Sequence, residues 1–134
     1  MHPIRLTAGW LLILATLLSA CMSYTNDTPQ GTVQLFYRAI ADGDTALALE
    51  QVIHPRDSTE RNKQRTAIEE MHTAIQANQG LENVQILQST LTHQGTQANM
   101  QVTLIFKNGK TNLEDMRLHQ QDGSWKILLW NTRH

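Results

Sequence analysis

The sequence predicts an α+β fold, with N-terminal helices packed on an antiparallel β-sheet, and three observations carry that prediction. Up to Gly80, apolar residues recur with the 3.6-residue period of amphipathic helices. After Gly80 they alternate with a period of two, as half-buried strands do. Asn108-Gly109 falls inside the alternating stretch, and a type I′ hairpin turn needs positive φ at both of its central positions, which this pair supplies. Helices first and strands afterwards exclude a βαβ order. The chain shows no internal repeat and no low-complexity segment.

The first segment is a leader. Of residues 1–20, 13 are apolar, and Leu6–Leu18 forms an apolar stretch behind the positive Arg5, the layout of a signal peptide. That stretch is too short to span a bilayer comfortably, and the polar run Ser23–Gln30 follows closely. Leu18-Ser19-Ala20-Cys21 resembles the lipobox of bacterial lipoproteins, where small residues fit the peptidase cleft and the cysteine thiol takes a diacylglyceryl group. The resemblance implies that residues 1–20 are removed and that Cys21 becomes the acylated first residue, a palmitate-bearing membrane anchor. Met22 stands where an Asp would signal inner-membrane retention in many Gram-negative bacteria, so in such a host the expected place is the outer membrane, facing the periplasm. Residues 21–30, polar and turn-rich, read as a tether, and residues 31–134 as one domain.

Thr28 and Pro29 open the first helix, the threonine as cap and the proline in the first turn, where a missing N–H is harmless. Val33, Phe36, Tyr37 and Ile40 form its apolar face. Asp42-Gly43-Asp44 ends it and caps a second helix, whose apolar face is Ala46, Leu49, Val52 and Ile53 and which stops at His54-Pro55. Asp57-Ser58-Thr59-Glu60 has capping-box spacing for a third helix, with Ile68, Met71, His72 and Ile75 on one face and Gly80 at its end. Four strands follow: Val84–Leu91; residues 97–106, with Ala98, Met100, Val102, Leu104 and Phe106 facing inward; Thr111–Gln120; and Trp125–Trp130 after the Asp122-Gly123 turn.

Phe36-Tyr37-Arg38-Ala39-Ile40-Ala41-Asp42-Gly43-Asp44 resembles the opening of the nuclear-transport-factor-2-like superfamily, and Asn108-Gly109-Lys110 with Asp122-Gly123-Ser124-Trp125-Lys126-Ile127 resembles its closing hairpin. Behind a lipoprotein leader, the two together resemble the bacterial lipoprotein family known as domain of unknown function 4878, over roughly Gln30–Trp130. Thr45 departs from the pattern, which often has an aromatic after Gly-Asp. The resemblance implies a cone-shaped, cystatin-like arrangement: a curved sheet over helices with a pocket between them. Superfamily members use that pocket for catalysis, for ligands or for neither, so fold alone does not assign an activity.

An isomerase- or dehydratase-like enzyme needs a base in the pocket and a donor for the developing oxyanion. Tyr37 and His72 each interrupt an apolar helix face, and Glu114 shares strand parity with Met116 and Leu118, so these three are the pocket candidates. No catalytic motif accompanies them, and the expected function is a non-enzymatic ligand- or protein-binding module. One cysteine excludes an internal disulfide framework, and the scattered His54, His72, His93, His119 and His134 give no metal-ligand spacing. No phosphate loop or cofactor motif occurs. Eleven Lys+Arg against twelve Asp+Glu leave no basic surplus for nucleic acid. In the last strand Trp125, Ile127 and Leu129 share one face, leaving Leu128 and Trp130 on the other. With Ile105 they are the candidate association surface, through which a homodimer is expected; a small apolar ligand or an envelope protein is the other expected partner.

Overall fold

The computed structural model describes residues 24–129. The leader, Cys21, Trp130 and His134 lie outside them. The element order is α1 (Pro29–Ala41), α2 (Thr45–Glu50), α3 (Ser58–Ala77), β1 (Leu81–Thr92), β2 (Gln97–Phe106), β3 (Thr111–Gln121) and β4 (Ser124–Leu128). The strands form one antiparallel sheet in the order β1-β2-β3-β4, so the predicted α+β order holds.

Helix α1 begins where Thr28 Oγ1 accepts from the Gly31 N–H, with Pro29 at its start. It is the central helix. Val33, Phe36, Tyr37 and Ile40 are buried along one side, against β1, β4 and the other two helices. Asp44 caps α2 by accepting from Leu47 N, and Gly43 makes the intervening turn at φ +77°, a backbone that L side chains rarely adopt. The inward face of β2 is buried along its whole length: Ala98, Met100, Val102, Leu104 and Phe106. With Leu118, Trp125 and Ile127 they complete one core against α1.

Three local readings are corrected. The second helix ends at Glu50, not at His54-Pro55, and Ala46 is exposed while Ala48 is buried. Residues 51–53 leave the helix because β4 has an open edge to satisfy. Ile127 N donates to Gln51 O, Ile53 N donates to Ile127 O, and Val52 bridges Ile127 in parallel. In α3, Asp57 accepts from Glu60 N as expected, but Glu60 does not close the capping box. Its carboxylate accepts from the Arg56 backbone N–H and side chain, one residue outside the cap.

The third correction concerns the tether. Residues 24–28 dock on the domain. Trp125 N donates to Asn26 O, the Arg38 guanidinium lies 5.8 Å from the Tyr24 ring centroid, and Thr25 O packs on Gly31, where a Cβ would stand 2.1 Å away. The ordered unit therefore starts before residue 31.

Candidate functional site

The three pocket candidates sit in different surroundings. Tyr37, from the buried side of α1, is almost wholly enclosed and meets the Phe36 ring edge-on, 5.1 Å between centroids. Burial, and secondarily the negative charge of Glu114, push its ionisation well above the usual phenol range, so the hydroxyl stays a neutral donor. Glu114 reaches the same region from the inward face of β3, where its register partner is Val102. Burial pushes its carboxyl above the ordinary range; a 2.6 Å hydrogen bond from Asn112 opposes that, and the charge of Asp115 adds to it. Tyr37 and Glu114 are thus brought within electrostatic reach of each other.

His72 has a structural occupation. Its Nδ1 lies 2.6 Å from the Ile40 carbonyl. A carbonyl only accepts, so Nδ1 carries the proton, and the ring satisfies an oxygen at the C-terminal end of α1. Its Cε1–Nε2 edge lies against Gly43, 3.5 and 3.8 Å from where a Cβ would be. His72 pins α3 to the α1–α2 turn.

The outer face of the sheet carries a feature that residue-by-residue reading missed. Strand register sets Thr90, Asn99, Arg117 and Leu128 in one cross-strand row, and Gln88, Gln101 and Asp115 in the next. These rows line a cavity of about 320 Å³ that spans all four strands. Among the described residues the ion pair is Arg56–Glu60, so Asp115 and Arg117 bring unpaired charges to this groove. Nearby, burial first, then Arg117 and His93, push the His119 imidazole below its ordinary range. The sequence signal was present in Gln97, Asn99, Gln101 and Thr103, which read only as the polar side of a strand.

The same register places two of the three association-surface candidates, Trp130 lying outside the described residues. Trp125 and Ile127 do line the core, which leaves Leu128 outward, half-buried. Ile105 also faces outward, but it is six residues along β2 from Asn99, whose row holds Leu128, a separation of about 20 Å. Thr103, Gln101 and Asp115 lie between, so Ile105 and Leu128 do not form one apolar patch. Leu128 belongs to the polar groove, and Ile105 neighbours the exposed Leu113 instead.

Residues 19–128 match the family described as Domain of unknown function (DUF4878). The chain belongs to that family. Among solved structures, a proposed nuclear-transport-factor-2-like transpeptidase from Campylobacter jejuni superposes with a TM-score of 0.67 at 19% identity, covering 77% of this chain and 99% of that one. A SEC-C motif containing protein from Rhodopseudomonas palustris superposes with a TM-score of 0.54 at 15% identity, over 78% of this chain and 77% of that one. At such identities the likeness concerns the fold: the DUF4878 domain here is nuclear-transport-factor-2-like. No curated protein matches the chain.

Proposed function

We propose that this DUF4878 protein is a lipid-anchored component of the cell envelope whose domain is a non-enzymatic binding module, in a two-membrane host on the outer membrane facing the periplasm. The sequence Leu18-Ser19-Ala20-Cys21 behind an apolar leader supports the anchor. The single observation that carries the binding role is the four-strand groove on the outer sheet face. Its amides, its hydroxyl and its unpaired Asp115 and Arg117 suit a polar partner, a protein segment or second copy of the chain, better than a small apolar ligand.

Native mass spectrometry of Met22–His134, purified gently from its own host, tests this reading. That stretch holds every helix and strand of the described residues and their whole core cluster. The expected spectrum shows a bound species or a dimer that disappears in the Asp115→Asn/Arg117→Gln variant. A bare monomer in both proteins contradicts the groove's role.

The isomerase- or dehydratase-like reading keeps one observation in its favour, the approach of Tyr37 to Glu114. It requires His72 as well, and that ring already serves the Ile40 carbonyl. On this reading Tyr37→Phe abolishes turnover; on ours it leaves partner binding unchanged.

A further inference from the structure

Apart from the groove, the β4 edge of the sheet, where α2 and α3 meet it, carries a cationic cleft. Segments of α2, α3 and β4 enclose a cavity of about 640 Å³. Arg61 and Arg65 stand one turn apart on α3, Lys126 projects from β4, and His54 comes from the loop between α2 and α3. Lys126 Nζ donates to the Glu50 carbonyl oxygen. Glu50 is the one carboxylate among the lining residues, and neither it nor the arginines form an ion pair among the described residues. Leu49 and Val52 supply an apolar wall. Three cations beside one carboxylate stand out in a chain whose formal charge is −1. Asp122 lies at the neighbouring opening, which shares His54 and Lys126 with the cleft.

We propose that this cleft binds the phosphate of anionic phospholipid headgroups and so seats the domain on the membrane surface. The chemistry alone fits any phosphate-bearing ligand, because guanidinium forks match phosphate oxygens. The choice of a lipid rests on the anchored reading above and on chain length. Asn26 is fixed to Trp125, next to Lys126, and Cys21 lies five residues earlier, a reach of at most about 18 Å. An acyl chain on Cys21 therefore keeps the start of β4, and the cleft beside it, near the headgroups.

The test uses Met22–His134, which lacks Cys21 and so separates cleft binding from acylation. Its sedimentation is measured with vesicles of phosphatidylglycerol and phosphatidylethanolamine, and with phosphatidylcholine vesicles. The expected result is binding to the anionic vesicles only. Arg61→Gln/Arg65→Gln should bind roughly twenty-fivefold more weakly, since each basic side chain near an anionic surface is worth about fivefold. Lys107→Gln/Lys110→Gln removes the same charge at the β2–β3 turn and should bind as the parent does. Both double variants alter exposed side chains, and circular dichroism checks that each is folded. Equal losses in the two variants, or no vesicle binding, overturn the proposal. Saturation by inorganic phosphate without any vesicle binding assigns the cleft to a soluble phosphate and overturns the lipid. Loss of lipid labelling in a Cys21→Ser protein is a separate readout, so the anchor and the cleft can fail independently.

Discussion

Gly31 sits in the first turn of α1, where a glycine ordinarily weakens a helix by about 1 kcal/mol relative to alanine. Here the sign reverses. An added Cβ would meet the Thr25 carbonyl at 2.1 Å, so Gly31→Ala must push residues 24–28 off the helix. We expect a loss of about 1–3 kcal/mol in chemical unfolding, the range for overpacking, while Gln30→Ala at the exposed neighbour stays within about 0.5 kcal/mol. Glu114 makes a second prediction at this scale. Its carboxyl is raised by burial, so the folded state holds the proton more tightly than the unfolded chain. The sign follows: no penalty exists below the unfolded value of 4.5, and stability is lost as pH rises through the raised folded value. Glu114→Gln should therefore be the more stable protein at pH 7, by less than about 1 kcal/mol because the side chain is only half-buried, and equal to the parent at acid pH. Thermal melts across pH check it; a constant difference at all pH values would refute the assignment. Glu114 was legible from strand parity alone. The occupation of His72 was not, because a carbonyl at the end of α1 is invisible in the helix pattern of α3.

The elements themselves were mostly legible, because amphipathic period and turn residues are local signals. α1, α3 and β2 lie where the sequence puts them, and a turn does fall at Asn108-Gly109. Of that pair only Gly109 has positive φ (+88°), so it is not the type I′ turn expected there. The hairpin pair with positive φ at both positions is Asp122-Gly123, at +53° and +81°. Among the elements, what failed was non-local: α2 gives up its last residues to the open edge of β4, a demand made by a strand more than seventy residues away. The α3 cap shows the same limit, with Glu60 serving Arg56 and leaving the cap residue's own N–H aside. Asp57→Ala removes the acceptor for Glu60 N and should cost about 1 kcal/mol in urea unfolding. Phe36→Ala should cost about 3–5 kcal/mol, since that ring is fully buried where α1 meets the sheet, enough to leave much of the protein unfolded. Little change at Phe36 would mean that α1 is not the centre of the core.

At the scale of the whole molecule, two surfaces emerge that no single element contains. The groove needs the register of four strands, and the cationic cleft needs α2, α3 and β4 together. Sequence reading found the alternation of β2, but it passed over Arg61 and Arg65 of α3, and nothing local told which strands or helices would be brought side by side. The docked residues 24–28 connect both surfaces to the proposed anchor, because they tie the chain that follows Cys21 to the start of β4. Anchoring at Cys21 is thus the claim on which the placement of the domain depends. The direct measurement is metabolic palmitate labelling with membrane fractionation of the full chain and its Cys21→Ser variant. The account predicts a labelled, membrane-bound parent and an unlabelled variant that is lost from lipoprotein processing. Equal labelling of the two proteins, or no labelling of either, would contradict it.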